Sequence, residues 1–261
     1  MCLVTLSWQP EAQTPLIIAA NRDEFYARPA SPLQRWPGQR ILAGQDQQAG
    51  GTWLGIAWGA AQTSHSVRVA ALTNYRDVGQ HNPDAPSRGH LTTAFLNGSM
   101  SASSYLNGLA QTAASYNPFN LILFDGHQLM GFESRHLRQF VLPTGLTSVS
   151  NADFNAPWPK LQRLQRGFER ALTDQSSKLE QTLFNLLADD HVANDDALPQ
   201  TGLSVDRERT LSAAFICTPD YGTRASSVLR IGPEAAVFTE RSFDANGFKG
   251  EVSQTIELSH A

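Results

Sequence analysis

The reading of this chain turns on residues 2–8, CLVTLSW, and residues 15–25, PLIIAANRDEF. In the first stretch Cys2, Val4 and Leu6 alternate with Leu3, Thr5 and Ser7, the period of two that marks a β-strand. The second is a longer apolar run, reached through a turn containing Pro10 and Gln13. On a strand, Asn21 and Asp23 point to one face and Arg22 and Glu24 to the other. If the two strands pair as a hairpin, Asp23 comes beside the amino end of Cys2, where a carboxylate orients an amine and favours its charged form. Arg22 and Glu24 can then pair with each other. Equally, all four residues can be no more than a polar strand end.

Cys2 raises the question of chemistry. If Met1 is trimmed, residue 2 carries a thiol and a free amine together. Their ordinary pKa values, about 8.5 and about 8, are close enough for the amine to take the thiol's proton at little cost. A buried cysteine is more often a small apolar side chain without chemistry, so the rest of the chain must decide.

Further strands are expected at 51–59 (GTWLGIAWG) and 67–75 (VRVAALTNY), and a hairpin at 119–134 that turns at Asp125-Gly126. Residues 87–114 have helical spacing, broken near Gly98, with Ser101 or Ser103 placed to cap the second half. After a strand at 146–150, Asn155 is expected to cap a helix with Pro157 in its first turn and Leu161, Leu164, Phe168 and Leu172 as its apolar stripe. A second helix is expected at 178–187, then a solvated acidic loop at 188–202, then strands at 211–218, 224–232 and 234–243. Strands, helices and strands again, without regular alternation, predict a layered α+β fold.

The 261 residues are 41% hydrophobic and 17% charged, ordinary for a globular chain, and a net charge of -4 gives no electrostatic case for nucleic acid or an anionic membrane. The seven histidines are scattered away from metal-ligand spacing, so no metal is expected. Two cysteines are too few for a disulfide framework and suit a reducing compartment. With no apolar run of membrane-spanning length and no leader-like start, a cytoplasmic protein is expected.

Three more polar residues stand at the ends of apolar runs. Asn74 and Asn151 can each form a turn, or together supply two donors to an acyl-transfer oxyanion. Arg224, opening a strand, can bind a substrate carboxylate or lower the pKa of a thiol. The glycines of AGGTWLG (49–55) read as a tight turn rather than a phosphate cradle, because no helix follows.

The segments MCL, ANRDEFYARP, AGGTWLG, ALTNYRD, PSRGHL, YNPFNLIL, SNADFNAPWPK and YGTRASSVL, in that order from Met1 to about Phe243, resemble the NRDE, or transport-and-Golgi-organisation protein 2-like, family. That family looks like a distant branch of the N-terminal-nucleophile hydrolases, near the bile-salt hydrolases and penicillin V acylases. The resemblance implies one domain over 1–261 with a four-layer αββα sandwich. It implies Cys2 as a nucleophile exposed by methionine removal, Asp23 handling its amine, Asn74 and Asn151 forming the oxyanion hole, and Arg224 as the late arginine of the site. Ala20 stands where the acylases carry an arginine, and Arg22 is expected to face the other way. Asn21, Arg22, Trp53 and Phe25 are the expected substrate contacts. For the NRDE family itself, roles in lipid or haem handling are implied more readily than a settled reaction.

Two readings follow. One is a cysteine hydrolase of a linear, non-peptide amide that needs no cofactor. The other is a carrier or chaperone for a small molecule such as haem or an acyl-thioester, held in a pocket lined by Phe25, Tyr26, Trp53 and Trp58.

Overall fold

A computed structural model describes residues 2–59, 67–79, 81–174 and 178–258. Met1, whose removal the hydrolase reading requires, lies outside them. Two antiparallel sheets form the centre. The six-stranded sheet contains β1 (Cys2–Trp8), β2 (Leu16–Phe25), β10 (Gly145–Val149), β11 (Tyr221–Ile231), β12 (Ala235–Asp244) and β13 (Gly247–Glu257), in the order β10-β1-β2-β11-β12-β13. The seven-stranded sheet runs in chain order through β3 (Ala30–Arg35), β4 (Ile41–Asp46), β5 (Leu54–Trp58), β6 (Val67–Asn74), β7 (Phe119–Phe124), β8 (Leu129–Glu133) and β9 (Arg138–Val141).

Side-chain alternation on these strands generates the layers. Cys2, Val4 and Leu6 of β1 and Leu16, Ile18 and Ala20 of β2 pack against Leu54, Ile56, Val69 and Ile122 of the other sheet, making the core between the sheets. The alternate residues Leu3, Ile17 and Ala19 pack outward on Leu161, Leu164 and Phe168 of α3 (Pro159–Thr173) and Leu183, Phe184 and Leu187 of α4 (Leu179–Leu187). On the far side, Ile41, Ala70 and Leu121 pack against Leu91 and Phe95 of α1 (Gly89–Asn97) and Leu106 of α2 (Ala102–Ala110). A two-sided core explains why β1 is buried along its whole length, with Thr5 tied to Ser148 by a 2.8 Å hydroxyl pair. The molecule is mixed α+β, consistent with the expected sandwich.

Local signals largely hold. Ser101 caps α2, its hydroxyl accepting from the Ser104 N–H, and Asp125-Gly126 forms the turn between β7 and β8, with Gly126 at φ 96°. Two local expectations are corrected. Asn155 does not cap a helix: it adopts φ 57°, its side-chain oxygen accepts from the Ser148 N–H, and α3 starts at Pro159 rather than near Pro157. Residues 211–218 form no strand; Ala213, Ala214 and Ile216 are buried without a ladder, save one isolated bridge from Cys217 to Gly222. The helix α5 (Val205–Thr210) precedes them, capped by Ser204.

Candidate active site

The ladder of β1 and β2 fixes the site. Cys2 pairs with Arg22, Leu3 with Asn21 and Val4 with Ala20. Directly opposed residues share a face, so Arg22 lies beside the Cys2 side chain and on the same face as Ala20. This corrects the expectation that Arg22 turns away. The strand period of two requires it, since positions 20 and 22 cannot face apart.

Cys2 opens onto a cavity of about 800 Å³ between the ends of the two sheets. Arg22, Asp23, Trp53, Asn74, Arg88 and Arg224 are among the residues that line it. The thiol is buried, and burial pushes its pKa up, with Asp23 adding to the rise and Arg22 opposing it. Arg22 donates to Asp46 at 3.3 Å, and Arg28 donates to the same carboxylate oxygen at 2.6 Å. The pair formed by Arg22 and Asp46 crosses from one sheet to the other at the cavity wall.

Two glycine-bearing motifs build the opposite wall. A side chain at Gly51 would stand 2.4 Å from the carbonyl carbon of Gly89, so AGGTWLG and PSRGHL meet backbone to backbone. That close approach sets the start of α1, and with it Arg88, which donates to the Pro118 carbonyl at 3.0 Å. Burial lowers the pKa of Arg88. In YGTRASSVL, Gly222 has the same logic: a Cβ there would meet the Tyr26 hydroxyl at 2.1 Å.

The amides come together. The Asn151 side chain donates to the Asn74 carbonyl at 2.7 Å, committing one of its two N–H donors, and its oxygen accepts from the Ser150 hydroxyl at 3.1 Å. That hydroxyl also lies 2.9 Å from the Cys2 carbonyl. Arg224 stands in the cavity wall, but its guanidinium donates to the carbonyls of Phe25, Tyr26, Arg28 and Phe243. It therefore fixes the loop that follows β2. Phe25 is 46% exposed and packs edge-on against Tyr221. Asn21 does not line the cavity. It faces the helix layer, donating to the carbonyls of Leu187 and Ala214 at 2.8 Å each and accepting from Ser226 at 2.7 Å. Trp58 packs against the inter-sheet core rather than lining the cavity.

Asp23 accepts from the Thr223 hydroxyl at 2.8 Å. Burial raises its pKa, and Lys160 is the strongest opposing influence. Sequence reasoning missed Lys160, although it quoted the motif that holds it. It also missed Glu240, a buried cavity residue that accepts from the Leu33 N–H at 2.7 Å and whose pKa burial raises to about 7. A glutamate in a strand otherwise rich in apolar residues was the available signal.

The fold and site define a two-sheet α+β protein with a buried thiol on its first strand, in the wall of a cavity that several charged residues line. The chain belongs to the Transport and Golgi organisation 2 family, whose model matches residues 1–245. It is 34% identical to the Transport and Golgi organization protein 2 homolog of Bos taurus over 93% of each chain. It is 33% identical to that of Homo sapiens over 99% of each. The Drosophila melanogaster protein is 26% identical, over 92% of this chain and 90% of its own. Among the described residues, no helix is long and apolar enough to cross a membrane.

Proposed function

We propose that the protein is a cysteine N-terminal-nucleophile hydrolase of a linear, non-peptide amide, with the fold of that class. The observation that carries this reading is the place of Cys2: on the first strand, in the wall of the cavity, with Asp23 on the paired strand in the same wall. Removal of Met1 would leave an amine on residue 2. That amine takes the thiol proton, and the sulfur attacks the amide carbonyl to form a tetrahedral adduct. Asn74 and the remaining N–H of Asn151 stabilise the oxyanion. The ammonium then returns the proton to the leaving nitrogen as the C–N bond breaks, leaving a thioester on Cys2. Water, deprotonated by the same amine, releases the acid and restores the thiol. A carboxylate at Asp23 holds the ammonium while it forms.

A second reading is favoured by the thiol's raised pKa and by the engagement of Arg224. A carrier would use the same cavity for an acyl-thioester or haem, and Cys2 and His81 both line it, side chains of the types that ligate haem iron. The two readings part on the free amine. Intact mass should show Met1 lost, and a panel of acyl amides should be hydrolysed by the trimmed chain and not by Cys2→Ala. Turnover by Cys2→Ala ends the hydrolase reading. Retained Met1 with ligand bound favours the carrier.

A further inference from the structure

The acceptors of the cavity are engaged, and some of its donors are not. Asp46 accepts from Arg22 and Arg28 and from the N–H groups of Gln48 and Ala49. Asp23 accepts from the Thr223 hydroxyl, Glu24 from the Phe25 N–H and Glu240 from the Leu33 N–H. At the rim Asp244 pairs with Lys249, and Glu251 with Arg241. Arg224 is held by its four carbonyls. Arg88 differs. Among the described residues it makes one hydrogen bond, to the Pro118 carbonyl, and no ion pair. The Trp53 side chain, 8% exposed, also lines the cavity, and its indole N–H has no hydrogen-bond partner among the described residues. The two come from segments in backbone contact: the Thr52 N–H donates to the Gly89 carbonyl at 3.4 Å, beside the close approach of Gly51 and Gly89.

We propose that Arg88 and Trp53 anchor a carboxylate, and hence that the amide taken by the Cys2 site carries a carboxylate on its acyl or its amine part. A guanidinium offers a planar fork that matches a carboxylate, and an indole offers a donor with no acceptor. One cation without a counter-charge suits one negative charge, which favours a carboxylate over a dianionic phosphate. Burial holds the Cys2 thiol toward its neutral form, so the thiol does not supply that charge. A half-buried guanidinium gains from a charge-assisted bond that an exposed one would largely lose to water. That the ligand is an amide rests on the hydrolase reading; that this wall takes a carboxylate does not.

The first test reads binding in the intact chain and needs no turnover. Indole N–H resonances are followed by NMR, the Trp53 signal being identified by its loss in Trp53→Phe. N-acetylglycine carries its carboxylate on the amine part of the amide, and succinamate on the acyl part. N-acetylglycinamide and succinamide are their uncharged counterparts. At least one of the two carboxylates should move the Trp53 signal and bind at least about tenfold more tightly than its counterpart, the worth of one charge-assisted hydrogen bond. The probe that binds shows which part of the amide bears the charge. Equal affinities, or binding that leaves the Trp53 signal unmoved, overturns the proposal, and so does tighter binding of inorganic phosphate.

The second test measures the same affinities by calorimetry in variants. Arg88→Gln should remove the preference for the charged probe and leave the uncharged ones as they were. Arg88→Lys, which keeps the charge without the fork, should retain part of it. Trp53→Phe keeps a ring and removes the donor, and should weaken the carboxylate alone. A preference that survives Arg88→Gln overturns the proposal. The comparison of charged with uncharged probes in the parent needs no variant, so it decides even if Arg88→Gln does not fold. A chain that prefers carboxylates but hydrolyses no amide ends the hydrolase reading and leaves the anchor in place. One that hydrolyses charged and uncharged amides with equal kcat/KM keeps that reading and loses the anchor.

Discussion

The two faces of β2 carry polar residues one position apart and use them in opposite ways. On the helix-facing side, Asn21 is buried and spends both its donors and its acceptor on groups that would otherwise be unmatched. The Leu187 carbonyl ends α4, where the last helical carbonyls have no partner of their own, so Asn21 completes a helix from a neighbouring strand. On the cleft-facing side, Arg22 spends its charge on a carboxylate of the other sheet and still borders open volume beside the thiol. Asparagine is neutral and locks layers together; arginine leaves a field in a cavity. At these two adjacent positions, polarity toward the helices serves architecture and polarity toward the cleft borders the thiol.

The strongest way to break that contrast is Asn21→Leu. The substitution keeps the volume close but strands two buried carbonyls and the Ser226 hydroxyl, each worth about 1–3 kcal/mol when unpaired. A loss of roughly 4 kcal/mol in the denaturant midpoint analysis is expected. A loss under about 1 kcal/mol would mean that the helix layer does not depend on this link.

Glu240 sharpens the comparison from the cleft side. It shares a row with Val4, Ala20 and Ser227, and burial lifts its pKa to about 7. The folded value lies above the unfolded one, about 4.3. Its contribution is therefore complete below the unfolded pKa and lost as pH rises through about 7. Stability should drop by about 3 kcal/mol between pH 4.5 and 8, and Glu240→Gln should flatten most of that drop. If the parent and Glu240→Gln show the same slope, the cleft face does not titrate as described.

What could be read in advance follows the same division. The pairing of residues 2–8 with 16–25 was legible because a continuous apolar run shows a strand buried on both faces. Cys2, Asp23, Asn74 and Trp53 could be placed near one another because strand ends gather side chains. The expectation missed β3, β4, β9 and β13; three of these are sheet edges, where β3 buries only Leu33, β9 no residue and β13 only Ile256, while the inner strand β4 is a short buried run ending in Gly44, Gln45 and Asp46. Edge strands carry little apolar pattern to read. The segment 211–218 misled in the other direction, apolar because it packs beneath its neighbours rather than because it pairs. Lys160 was illegible for a tertiary reason. On an amphipathic helix a lysine reads as solvent-facing, and only the folded position of the Leu211 carbonyl, to which it donates, shows it buried.

The smallest expected effect belongs to the residue most exposed to chemistry. Arg22→Gln removes one side of a pair whose side chains are 10% and 17% exposed, and Arg28 still holds Asp46 at 2.6 Å. With the carboxylate still answered and the site open to solvent through the cavity, the stability cost should be about 1 kcal/mol or less, and a double-mutant cycle with Asp46→Asn should return a coupling of that size. The thiol tells the other half. Arg22 favours the ionised form of Cys2, so the same variant should move the midpoint of Cys2 labelling by iodoacetamide to higher pH. A large stability loss with an unmoved midpoint would make Arg22 a structural residue like Asn21 and erase the difference between the two faces. A small loss with a clear shift would show that β2 gives its cleft side to charge because the thiol is there to feel it.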